Sequence, residues 1–175
     1  MSWFKFEGLH DPNAPSRREC HTVCTSGERL VVYGGNDDLG RHSSVHILDT
    51  VAMSWERVDS EDPGRRSAHT SVLSPDEKWM YVFAGWNGAD ELGDVMRFNI
   101  EDRKWERVPT TGTPPSPRHF HMSTRVGNCM CVDVVVVWVA SLWILPFSTR
   151  QLLFSSWSPF PYRFLPYFYT SNLFF

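Results

Sequence analysis

Histidine beside arginine can do chemistry: the imidazole moves protons or binds a metal, and the guanidinium holds an anion. This chain carries the pairing three times, as Arg18/His21, Arg66/His69 and Arg118/His121, each with two residues between. An active site is needed once, whereas residues that return in every unit of a repeating chain belong to its framework. No Gly-x-Ser-x-Gly elbow, phosphate-cradling loop or carboxylate-rich metal motif accompanies them. His10, His42 and His46 form no evident ligand set, and Tyr33 and Tyr81 lie within repeated runs. Cys20 and Cys24 are read as sharing one strand face and filling core. Cys129-x-Cys131 without a pair of histidines is poor zinc grammar. These residues describe a chain that is not an enzyme and uses no cofactor and no metal.

The elements that position these pairs repeat with them. Tyr33-Gly34-Gly35 returns 50 residues later as Phe83-Ala84-Gly85, and Asp49 returns as Asn99. Trp55-Glu56-Arg57-Val58 returns as Trp105-Glu106-Arg107-Val108, so that Gly35 to Trp55 and Gly85 to Trp105 are both 20 residues. Within each unit, apolar residues alternate with period two between turn residues. The runs are 21–24, 29–33, 44–48 and 55–58 in the first unit, then 68–73, 79–83, 94–98 and 105–108 in the second. Four short β-rich runs, twice over, predict two four-stranded antiparallel sheets. No segment of residues 1–125 carries an apolar stripe at helical spacing.

The order Arg-x-x-His, strand ending in Gly-Gly, Asp or Asn, then Trp resembles the kelch repeat, each copy of which forms one blade of a β-propeller. The resemblance covers residues 1–127, with repeats at 17–58 and 65–108 and the start of a third at 115–127. The expected fold is all-β: a partial kelch-type β-propeller of two complete four-stranded antiparallel blades plus the start of a third. Ala84 departs from the pattern, standing where its first glycine would be. Gly34, Gly35 and Gly85 suit positive φ and close strand approach. Trp55 and Trp105 can bury flat surface between blades, each indole N–H seeking a carbonyl. The resemblance implies that Arg18, Arg66 and Arg118 hydrogen-bond backbone between adjacent blades. With His21, His69 and His121 they make the framework. Residues 3–6 look like the last strand of a further repeat.

Residues 128–175 follow another grammar. Residues 132–175 hold Asp133, Arg150 and Arg163 as their only charges, 13 of the 25 aromatic residues, and no glycine. Three readings of this apolar, aromatic-rich tail stand open. A membrane anchor over 134–147 would be 14 residues long, where a span takes about 20. An apolar arm would pack on the open blade. Translated non-coding sequence is the third, since Cys129-Met130-Cys131-Val132 can be encoded with an intron-donor hexamer. Residues 132–137, rich in β-branched side chains, are expected to pair with 122–126 as a strand.

Binding in a propeller is expected at loops freed from the ladder. The loops after the glycines offer Asn36, Asp37, Asp38, Arg41 and His42 in the first unit, and Trp86, Asn87, Asp90 and Glu91 in the second. Arg41 and Trp86 are residue types enriched at binding hot spots. The kelch resemblance implies a protein–protein interaction scaffold with an unnamed protein partner. A net charge of −3 gives no basic stripe for nucleic acid. The opening residues lack a signal-peptide core, which points to cytoplasm or nucleus. The alternatives are a truncated product without independent function, a fragment of a kelch-like metalloenzyme, and a membrane-anchored kelch protein.

Overall fold

The structure is a computed structural model, and it describes residues 11–59, 63–133 and 171–174. The described chain is β-structure throughout. In the first blade, β1 (Thr22–Ser26) and β2 (Arg29–Tyr33) form a hairpin. A small hairpin follows, β3 (Asn36–Asp37) with β4 (Gly40–Arg41), and then β5 (Val45–Asp49) and β6 (Ser54–Val58). The sheet order is β1-β2-β5-β6. The second blade has β7 (Thr70–Leu73), β8 (Trp79–Trp86), β9 (Glu91–Asn99) and β10 (Lys104–Arg107), again with consecutive strands adjacent. Two four-stranded antiparallel blades are therefore present as expected.

Equivalent residues hold equivalent registers. Leu48 faces Trp55 in blade 1, and Phe98 faces Trp105 in blade 2. The turn before each Trp is set by the recurring Asp49 or Asn99. Its side-chain oxygen accepts from Val51 N–H and Ala52 N–H in one blade, and from Glu101 N–H and Asp102 N–H in the other. An Asx side chain that caps two amides fixes a tight turn, which accounts for its return at this position.

The third sheet goes further than the expected limit at residue 127. β11 (Met122–Val126) and β12 (Cys129–Asp133) make a full hairpin through Gly127 and Asn128, with Met122 opposite Asp133 as Thr22 is opposite Tyr33. The strand expected over 132–137 thus begins at Cys129, because the turn fixes the register. A third strand, β13 (Ser171–Phe174), pairs antiparallel with β12, in the place that β5 takes on β2. Residues 3–6, His10 and the tail segment 134–147 lie outside the described residues. Among the described residues no helix is long and apolar enough to cross a membrane.

The core lies between blades, face to face. Val31, Tyr33, Val45 and Ile47 of blade 1 pack on Met80, Val82, Phe98 and Ile100 of blade 2. Phe83, Ala84 and Val95 of blade 2 pack on Met130 and Val132 of the third sheet. Cys24 is buried in the first cluster. Cys20 is not its strand-mate, since it precedes β1 and has φ of 55°.

Candidate protein-interaction site

The recurring polar residues turn out to be joints. His69 Nε2 is hydrogen-bonded to the Thr22 hydroxyl of the preceding blade at 2.9 Å, and His121 Nε2 to the Thr70 hydroxyl at 2.8 Å. With Nδ1 of both rings buried and unpartnered, chemistry assigns the proton to Nε2, because a bare lone pair is cheaper to bury than an N–H. The same rings lie edge-on to Tyr33 and Phe83, with centroids 5.0 and 5.3 Å apart. Burial drives the His69 pKa down to about 3, with Arg66 adding to the effect, and drives His121 to about 4 with help from Arg118. Both rings are neutral at neutral pH, as a buried hydrogen-bonding strut should be.

The arginines act differently from expectation. Arg66 Nη1 donates to Ala84 O and Arg18 Nη1 to Gly34 O, each within its own blade. The inter-blade bond is made by the arginine's backbone carbonyl, which accepts Gly35 N–H at Arg66 and Gly85 N–H at Arg118. The glycines allow this approach: a Cβ at Gly34 would stand 2.6 Å from Arg66 O and 2.7 Å from His69 Cε1. Arg66 also grips Asp94 with both Nη atoms at 2.9 Å, whereas Ser44 holds that place in blade 1. Trp105 does reach across, 4.7 Å from the Tyr33 ring, but among the described residues its buried indole N–H finds no partner. Trp55 lies on the opposite face of blade 1, beside His46. His46 itself donates Nδ1–H to Asn13 O at 2.7 Å and meets the Ser44 hydroxyl at 3.0 Å, so both its nitrogens are engaged.

A further ladder runs through the two middle residues of each Arg-x-x-His. Cys20, Ala68 and Phe120 share a left-handed backbone, with φ of 55°, 54° and 53°. Ala68 N–H donates to Cys20 O at 2.9 Å, and Phe120 N–H to Ala68 O at 3.0 Å, carrying the chain of bonds from unit to unit. The residue just before each pairs with the residue after the glycines, Glu19 with Asn36 and Ser67 with Trp86. Asn36 and Trp86 are accordingly ladder residues and not free loop. β8 runs on past a bulge at Ala84, so Trp86 and Glu91 pair as strand residues.

Above this ladder lies a groove of about 340 Å³ built from all three units. Arg41 enters from the first, Trp86 from the second, and His119 and Phe120 from the third. Arg41 and Trp86 are half-buried here, not exposed as a free loop would leave them. Arg41 Nε donates to the Ser67 hydroxyl at 3.2 Å, and among the described residues its two terminal nitrogens have no partner. Trp86 lies 5.6 Å from the His119 ring, and His119 Nδ1 meets Glu91 at 2.8 Å. Phe120 is 64% exposed, an aromatic side chain that the fold leaves in water. Cys20 faces the groove as a thiol, its pKa raised by burial and by Glu19.

The other candidates fall outside. Asp37 is tied to His42 at 2.9 Å, to the Ser16 hydroxyl and to Leu39 N–H, which makes it the staple of its own hairpin. Asp38 is an exposed turn residue. Asn87 caps its turn by accepting from Ala89 N–H and Asp90 N–H, leaving Asp90 at the tip. Asn36, Arg41 and Trp86 are therefore brought together, with Glu91 linked through His119. The groove residues missing from the sequence reading are Glu19, Ser67, Ala68, His119 and Phe120, together with Cys20, which was read as core. A signal for them existed: between fixed Arg and His, the middle pair changes from Glu-Cys to Ser-Ala to His-Phe. Among the described residues no three His, Cys, Asp or Glu side chains are placed to hold a metal.

Comparison with known proteins agrees with this architecture. The KLHDC2/KLHL20/DRC7 Kelch-repeats domain matches residues 1–133. The chain is 35% identical over 120 residues to the Rab9 effector protein with kelch motifs of Xenopus laevis, which covers 63% of this chain and 32% of that protein. It is 43% identical over 97 residues to the Leucine-zipper-like transcriptional regulator 1 homolog of Drosophila melanogaster, covering 55% and 9%. It is 29% identical over 117 residues to Acyl-CoA-binding domain-containing protein 5 of Arabidopsis thaliana, covering 65% and 18%. The chain thus spans a third or less of the length of each of these relatives. With the repeat in its sequence, the blades in its structure and a family match over most of its length, the chain belongs to the kelch-repeat family.

Proposed function

We propose that this chain is a non-enzymatic interaction module that binds a segment of another protein in the groove between Arg41, Trp86 and Phe120. One observation carries the reading: three units converge on a single groove whose lining varies, while the joints beneath it repeat. A variable surface on a constant frame is how loops on a rigid scaffold acquire specificity. The lining offers an aromatic wall, a half-buried arginine with unused donors, and an exposed phenylalanine, the residue types enriched where binding energy concentrates. The family membership supports the coarser role, since kelch domains are repeat scaffolds for protein contacts.

The test is selection of peptides from a random library on the full chain, followed by affinity measurement on variants. Phe120→Ala and Arg41→Ala should each weaken the selected peptides at least about fivefold while melting stays unchanged, as expected of hot-spot truncations of more than about 1 kcal/mol. Peptides that bind both variants as well as the parent chain would remove the groove from consideration.

A further inference from the structure

Among the described residues three hydroxyls stand directly before a proline: Ser74, Thr113 and Ser116. Their surroundings separate them. Ser74 is 8% exposed, and its hydroxyl is spent on Asp76 and on Trp79 N–H. Thr113 and Ser116 lie in the run between β10 and β11, which has no strand or helix over 108–116. From 109 to 117 every residue but Pro115 is exposed. Among the described residues no cation bonds the Thr113 hydroxyl. Ser116 has one: its Oγ accepts from Arg118 Nη2 at 3.3 Å, and its carbonyl accepts from Arg118 Nε at 3.0 Å.

The other two units lack this combination at the same place. The second has Gly64 there, with no hydroxyl. The first has Ser16 on Arg18 at 3.2 Å, but Arg17 follows it in place of proline. Ser16 also donates to Asp37 Oδ2 at 3.2 Å, so an anion built on its oxygen would meet a carboxylate. Among the described residues no carboxylate bonds Ser116 or Arg118, and neighbouring His119 is held by Glu91.

We propose that Ser116 is a phosphorylation site for a proline-directed serine/threonine kinase, with Arg118 as the cradle of the phosphate. In that step the Ser116 Oγ attacks the γ-phosphorus of ATP. An O–P bond forms, the bond to the β-phosphate oxygen breaks, ADP leaves, and the hydroxyl proton passes to the kinase's base. The product carries close to two negative charges and three strong acceptor oxygens. Arg118 Nη2 already lies on the oxygen that will bear them, and a guanidinium matches phosphate with paired N–H bonds. The backbone of Arg118 is anchored to blade 2 at both groups, its N–H on Leu92 O and its carbonyl on Gly85 N–H. His119 and Phe120 follow at once as the third unit's share of the groove. A phosphate held by Arg118 therefore ties the exposed run to the segment that enters the groove, whatever the groove binds.

The full chain is incubated with a purified proline-directed kinase and ATP, and the modified residues are mapped by mass spectrometry. Phosphate in the tryptic peptide 108–118 should sit on Ser116, and Ser116→Ala should remove it from that peptide. Phosphorus NMR then reads the cradle. The phosphoserine loses its second proton near pH 6 in a free chain, and it should do so about one pH unit lower in the folded chain than in the same chain in urea, because a nearby cation favours the dianion. Arg118→Lys, which keeps the charge and loses the paired donors, should reverse part of that drop. Phosphate on Thr113 in place of Ser116 overturns the proposal. So does a folded chain left unmodified by a kinase that modifies a synthetic peptide of residues 109–121. A phosphoserine that titrates alike in the fold and in urea overturns it too, because Arg118 then holds nothing.

Discussion

The joint between blades 1 and 2 and the joint between blade 2 and the third sheet begin alike and end differently. Both have a histidine ring on a threonine, a backbone bond through a left-handed residue, and a glycine N–H on an arginine carbonyl. Among the described residues only the first has a tryptophan from a fourth strand, with Trp105 between Tyr33 and Phe98 at 4.7 and 5.0 Å. In the second, Trp79 and Tyr81 line a cleft of about 320 Å³ against Cys129 and Met130. The inner strands lay down the polar joint and most of the apolar core, and in the first joint the outer strand adds Trp105 to it.

The largest expected effect separates the two arginines. Arg66 is buried against Asp94 and two carbonyls, so Arg66→Leu strands a carboxylate and should cost about 3–5 kcal/mol in chemical denaturation. Arg18→Leu, with no carboxylate to strand, should cost about 1 kcal/mol. Equal losses would mean that Asp94 adds nothing to blade 2.

Trp105→Ala should cost about 3 kcal/mol, the usual loss for a large packed aromatic. Trp55→Ala, on the face of blade 1 away from blade 2, should cost less than half of that. Equal shifts in melting would show that Trp55 is sealed as tightly as Trp105.

Acid should open both joints. The folded pKa of His69, about 3, and of His121, about 4, lie below the ordinary 6.5. The unfolded chain then binds more protons, so stability is full above about pH 6.5 and falls as pH drops toward these values. Each ring contributes up to roughly a tenfold loss in the folded-to-unfolded ratio per pH unit. A His69→Gln chain should show a shallower acid transition, and an unchanged slope would mean that the ring titrates freely in the fold.

The smallest effect belongs to the groove. Arg41→Ala should leave stability within about 0.5 kcal/mol, as for most partly exposed positions. A larger loss would make Arg41 a structural clamp on Ser67 and weaken its assignment to binding.

Repetition made the framework legible. Arg66, His69, Gly85 and Trp105 are visible because a joint that recurs must recur in sequence, and the Asp49/Asn99 turn is visible for the same reason. The groove was half hidden because its residues are the ones that do not repeat. Phe120 lies inside a framework motif, at the left-handed position it shares with Cys20 and Ala68, and is 64% exposed there. Trp86 reads as loop because Ala84-Gly85 looks like a strand end. The bulge at that point depends on pairing with β9, which local sequence does not encode. β13 was beyond reach, since residues 171–174 meet β12 across a long stretch of chain and its register is set by non-local pairing.

The central claim is that the recurring Arg-x-x-His residues are inter-blade joints and not a reactive pair. A double-mutant cycle between His69→Ala and Thr22→Val tests it most directly, because these side chains are distant in sequence and meet only if blade 2 stands on blade 1. A coupling energy of about 1 kcal/mol in the denaturation of the four chains is the predicted result. Additive losses, with no coupling, would contradict it.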